Sequence, residues 1–176
     1  MKKIVIFNFS IILLFASCTQ VDIIKEFEKG KKHAENNEHL EAIEVFSEII
    51  NLTDTCLNCY LERGHSYRAI NETGKAREDY NKVIKDGNNT DIEVAYVNRG
   101  GTYYDELNYD KALLDYKTAL KYDPKNGLIL NMVSHMYFAT DDKEKGCEYY
   151  WESIKYMETD FNPEIPVYCD SIKIEP

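Results

Sequence analysis

Tyr96-Val97-Asn98-Arg99-Gly100-Gly101-Thr102-Tyr103, followed by Ala112, Tyr116, Ala119 and Pro124, is the stretch whose reading decides the fold. Counting outward from it, Gly30, Gly64 and Gly100 stand 34 and 36 residues apart. Ala42, Ala76 and Ala112 keep the same spacings, and so do Phe46, Tyr80 and Tyr116. Three registers in step define a period of about 34 residues, the signature of a stacked repeat array. Within each period, apolar residues recur at helical spacing on both sides of a turn. Ala42, Ile43, Phe46, Ile49 and Ile50 form one stripe after Asn36-Asn37-Glu38. The turn Asn71-Glu72-Thr73-Gly74 separates a helix with Tyr60, Leu61, Gly64 and Tyr67 from one with Ala76, Tyr80, Val83 and Ile84. Thr53-Asp54-Thr55 is expected to cap the first of these. The loop Asp86-Gly87-Asn88-Asn89 is the expected home of the two extra residues that stretch 34 to 36.

Tyr96, Gly100, Tyr103, Ala112, Tyr116, Ala119 and Pro124 resemble the tetratricopeptide repeat, with Arg99 where that family has Leu. The physical need is close approach of paired helices at the small residues, with aromatics filling the space between units. The resemblance implies an all-α fold, a right-handed α–α superhelix of about four helix-turn-helix repeats. They span 23–160, as units 23–56, 57–90, 93–126 and 127–160. The outer units are worn. Unit one has Glu26 and His33 where aromatics are usual, and unit four keeps the register through Leu130, Ser134, Tyr137, Gly146, Tyr150 and Ser153. Asp141 with Glu144 is expected as its N-cap pair. Atypical terminal units follow from each having one face without a neighbour. Residues 161–176 hold Pro163 and Pro166 and are expected as an irregular C-terminal tail in place of a closing helix. Trp151, the only tryptophan, then lies either under that tail or on an open apolar edge.

At the other end, Met1-Lys2-Lys3 precedes an apolar run from Ile4 to Phe15, then Ala16, Ser17 and Cys18. This is the layout of an export signal, expected at 1–17, with a short linker at 18–22. Leu14-Phe15-Ala16-Ser17-Cys18 also resembles the lipobox of bacterial lipoproteins, although the usual Leu three residues before the Cys is Phe15. The resemblance implies lipidation of Cys18 and a lipid anchor in a bacterial cell-envelope membrane, the outer membrane before the inner. Two of the 21 basic residues lie in 1–17, leaving 19 against 31 acidic ones, a net charge of −12. A surface that acidic repels phosphate backbones, which argues against nucleic acid as a partner.

Cys56, Cys59, Cys147 and Cys169 remain after Cys18, an even number in a disulfide-permissive compartment. Cys56 and Cys59 admit three readings: a disulfide in a distorted helical turn, free thiols, or a redox or metal motif. Helical residues three apart hold their Cβ atoms about 5–6 Å from each other, too far for a bridge without distortion. Cys147 and Cys169 are expected to pair and to staple the tail over unit four. His33, His39, His65 and His135 form no metal-ligand pattern, and no phosphate loop, nucleophile elbow or acid–base carboxylate pair is visible. The expectation is a protein without catalytic residues, cofactor, metal or small-molecule substrate.

The family resemblance places partner binding on the concave face lined by the first helix of each unit. Carried over, the groove residues are Lys31, Asn58, His65, Arg68, Asn98, Tyr104, Asn131 and His135. That mixture suits a protein or peptide segment held by amides and apolar pockets, without the lysine-rich clamp some family members use. The expected function is therefore an exported interaction scaffold. One alternative is a structural subunit of an envelope assembly that uses the C-terminal edge. The other is a thiol-redox enzyme at Cys56 and Cys59.

Overall fold

The computed structural model describes the backbone of residues 9–157 and residue 169, and the side chains of residues 22–157 and 169. The expected export signal lies outside the described residues at 1–8, and the expected tail at 161–168 and 170–176. Among the described residues the chain is helical throughout: α1 Phe9–Glu35, α2 His39–Leu52, α3 Leu57–Ala69, α4 Thr73–Asp86, α5 Asn89–Asp105, α6 Tyr109–Ala119, α7 Gly127–Ala139 and α8 Lys143–Tyr156. Consecutive helices pack as antiparallel pairs, and each pair is one repeat. The expected linker at 18–22 needs correcting: it is a continuous part of α1. Neither glycine nor proline occurs between Phe9 and Lys29, so nothing in the sequence stops that helix.

One contact recurs through the first three units. A Cβ added to Gly30 would lie 2.8 Å from the Phe46 ring, one on Gly64 2.6 Å from Tyr80, and one on Gly100 2.7 Å from Tyr116. The three rings are buried. The glycine and the aromatic of each register are thus two halves of one helix–helix contact. Unit four solves the same approach differently. Ser134 replaces the glycine, and its Oγ donates to the Gly146 carbonyl at 2.7 Å across the helix pair.

The residue before the glycine carries a second device. Arg63 donates through Nε and Nη2 to both oxygens of Asp79 at 2.9 and 2.7 Å, and through Nη1 to Ser47 Oγ of the previous unit at 3.0 Å. One period on, Arg99 grips Asp115 at 2.8 and 2.7 Å and reaches back to Asn81 Oδ1 at 2.6 Å. Arg99 also lies over the Tyr96 ring at 5.1 Å and Arg63 over Tyr60 at 5.5 Å. At the corresponding positions of the last joint stand Lys117 in α6, Val133 in α7 and Tyr149 in α8. There Lys117 donates to the Tyr137 hydroxyl at 3.2 Å, and Tyr137 stacks on Tyr149 at 5.4 Å.

Three local expectations change. The two extra residues do not enlarge the loop: α5 has 17 residues against 13 in α3, while the loop before it shrinks to residues 87–88 from 53–56. Asn88 makes this possible, its side chain accepting from the Thr90 and Asp91 amides while its own amide donates to Asp91 Oδ2. Thr53-Asp54-Thr55 does not cap α3; Cys56 is its N-cap residue and makes no side-chain cap bond. At α8 the cap is Asp142, which accepts from the Lys145 amide, while Asp141 takes a left-handed turn at φ 62°.

Candidate interaction groove

The first helix of each unit presents the same turn of its surface to the groove, and corresponding positions change character along the array. In α3 they are Glu62, His65 and Arg68; in α5, Asn98, Gly101 and Tyr104; in α7, Met132, His135 and Phe138. The row therefore runs from charged, through neutral, to Met132 and His135, while the Phe138 ring packs against Gly146 of α8.

Charges in the first part are matched within the chain. His65 Nδ1 stands 3.6 Å from Glu62 Oε2. The neighbouring His65 imidazole, with the added pull of Lys31, holds the Glu62 carboxyl below the usual carboxylate range despite burial. Arg68 donates through Nε and Nη2 to Asp105 at 2.5 and 3.0 Å, which raises its own already high pKa. Gly101 makes this bridge possible: a Cβ there would lie 2.6 Å from Arg68 Nη1. The guanidinium lies directly across the α5 backbone. Arg68 is thus a strut between units two and three.

A cavity of about 310 Å³ opens between α5 and α7, lined by Tyr104, Tyr116, Met132, His135 and Met136. Its floor is dry enough that burial pushes the Tyr116 hydroxyl up to about 12. Its mouth is open, with Tyr104 46% and Met132 36% exposed. A second cavity, about 470 Å³, lies between α1 and α2, where Asp22, Glu26 and Glu48 surround Ile23, Ile49 and Leu52. None of the candidate groove residues reaches it.

Of those candidates, the structure brings Tyr104 and His135 together at the cavity. His65 and Arg68 lie in the charged part, and Lys31 acts on Glu62 across from α1. Asn58 is exposed, while Asn98 and Asn131 are half-buried; the Asn131 Oδ1 is shielded from solvent with no hydrogen-bond partner. Sequence reasoning did not single out Asp105, Glu62, Met132 or Met136, and it read Tyr116 only as a repeat-packing position. Asp105 had a usable signal: an opposite charge 37 residues after Arg68, close to one period, lies on the neighbouring first helix. The cavity had none, because its methionines fall beside the carried-over positions.

The structure joins Cys56 to Cys59 and Cys147 to Cys169 as disulfides. Cys56 lies outside α3 with φ −74° and ψ 78°, so helical spacing does not govern its distance to Cys59; their Cα atoms are 5.2 Å apart. Cys147 and Cys169 are both buried, with Cα atoms 5.4 Å apart. Cys18 lies within the helical backbone of α1, and its side chain falls outside the described residues. Trp151 is half-buried and meets Tyr150 edge-on at 5.4 Å.

Set against known proteins, residues 57–85 and 94–126 each match the tetratricopeptide repeat. The chain carries tetratricopeptide repeats. It is similar to dynein axonemal assembly factor 4 of Rattus norvegicus, 31% identical over 111 residues, covering 59% of this chain and 26% of that protein. It is also similar to Hsp70-Hsp90 organizing protein 3 of Arabidopsis thaliana, 28% identical over 109 residues, covering 62% of this chain and 19% of that one. The chain spans about a quarter or less of the length of these curated relatives. Among solved structures, the crystal structure of MamA superposes with a TM-score of 0.69 at 19% identity, over 76% of this chain and 77% of that one. The first tetratricopeptide domain of Spaghetti (RPAP3), bound to the HSP90 peptide SRMEEVD, gives 0.62 at 20% identity, over 68% and 93%. At these identities the structural likeness establishes the fold: an all-α solenoid of tetratricopeptide repeats.

Proposed function

We propose that the protein is a non-catalytic interaction scaffold that holds a segment of another protein in the groove lined by α1, α3, α5 and α7. The observation that carries this is the open, apolar-walled cavity between α5 and α7, with Tyr104 and His135 at its edge. A concave row of side chains ending in such a cavity can grip an extended or helical segment. The RPAP3 domain, solved with a peptide, supports this use of the fold. We further read the chain as exported and anchored to a bacterial envelope membrane through a lipid on Cys18, on the strength of the lipobox-like Leu14-Phe15-Ala16-Ser17-Cys18.

Crosslinking in cells followed by capture tests the groove. At least one partner should be recovered, and Asn98→Ala with Tyr104→Ala should weaken its capture. Equal recovery by that variant removes the groove reading. Trp151→Ala serves as the opposite arm, because only a C-terminal edge subunit would lose its assembly. Intact mass of the membrane-extracted protein decides the anchor: a start at Cys18 plus acyl mass supports it, and an unmodified chain removes it.

A further inference from the structure

We propose that the cavity between α5 and α7 is the anchor subsite of the groove. Its occupant is a partner segment presenting one aromatic or long aliphatic side chain flanked by basic residues. This rests on the groove reading and names the class of segment the groove takes.

Size comes first. About 310 Å³ lies at the lower bound of small-ligand sites, which suits a single side chain. The walls fit an apolar guest. Met132 and Met136 supply polarisable thioethers that adapt to ring or branched shapes, and Tyr104 offers a ring face. Besides the tyrosine hydroxyls, His135 is the one titratable group lining the cavity. A carboxylate placed there would be desolvated without a committed cation, which is costly.

Charge selects the flanks. The one arginine among the groove positions, Arg68, is already bound to Asp105, and Glu62 beside His65 adds a carboxylate to the same stretch. An acidic segment would have to displace Asp105 to reach Arg68. The residues from Cys18 onward carry a net charge of −12, so a basic segment is drawn in and an acidic one held off. The gradient along the groove also sets direction, with the apolar anchor on units three and four.

Methionine supplies the readout, because the chain has only four: Met1, Met132, Met136 and Met157. In the full-length chain with ¹³C-methyl methionine, the probe is an acetylated Gly-Lys-Phe-Lys-Gly amide. It should shift the Met132 and Met136 methyls saturably and leave Met157 still. The same peptide with Ala for Phe should bind about tenfold more weakly or worse, and SRMEEVD should compete poorly. Met132→Trp, at a partly exposed position, should fill the cavity and abolish the remaining Met136 shift. The proposal is overturned if SRMEEVD saturates the same signals as tightly, if the Ala peptide binds equally, or if the Phe peptide moves neither cavity methyl. Movement of Met157 alone would place binding at the C-terminal edge and also overturn it. The groove reading itself stands or falls separately, on capture by the Asn98→Ala, Tyr104→Ala variant.

Discussion

Leu107 sits in the left-handed region at φ 58°, where the matching turn residues are Asn37, Asn71 and Asp141 at φ 63°, 63° and 62°. Asn and Asp tolerate that conformation; a leucine pays for its Cβ and here is also 70% exposed, so burial returns little. Leu107→Asn should therefore stabilise the fold by about 1 kcal/mol, read as a higher urea midpoint with an unchanged slope. Glu62 gives a second test, in pH. Its carboxyl is held below the usual range by His65 and Lys31, so its stabilising effect is fully present above the unfolded value, about 4.3. That effect fades as pH falls through the lower folded value. Glu62→Gln should be less stable than the parent at pH 7 and indistinguishable from it well below pH 4. A stability gap that persists in acid would show that Glu62 acts by packing instead.

Between elements, the glycine–aromatic contact and the arginine clamp make opposite kinds of demand. Gly100→Ala drives a methyl into the buried Tyr116 ring and should cost about 2 kcal/mol. Gly74→Ala, with nothing within 4 Å of the new Cβ, should be neutral or slightly stabilising. Arg99→Ala strands Asp115, whose side chain is 3% exposed, and should cost about 3 kcal/mol. Arg99→Leu with Asp115→Leu should recover most of that, and a double-mutant cycle in urea measures the coupling. Helix pairs and unit spacing were legible in the sequence because Gly30, Gly64 and Gly100 each need a small residue, and such needs repeat. Arg99 was legible only as a departure from pattern, since its partners Asp115 and Asn81 are polar residues that periodicity in apolar positions cannot flag. The cavity stayed hidden for a similar reason. Met132 and Met136 become walls only once α7 is rotated against α5, and that rotation is set by packing.

For the molecule as a whole, the Cys147–Cys169 bridge ties the chain's end to the last helix across 22 residues. Cys147→Ser with Cys169→Ser should lower unfolding free energy by about 3 kcal/mol. The Cys56, Cys59 pair closes a much shorter loop and should matter less by the same denaturation measurement. The backward reach of Arg63 and Arg99 has a different consequence, one for how such a chain can grow. Ser47 and Asn81 both offer an oxygen acceptor to the arginine of the next unit. A tandem copy of residues 57–90 inserted ahead of unit three would find its acceptor waiting and would present a fresh one downstream. The same copy inserted after unit three would set its arginine against Lys117, cation against cation. Duplication can lengthen this array from its middle, and its last joint is closed to it.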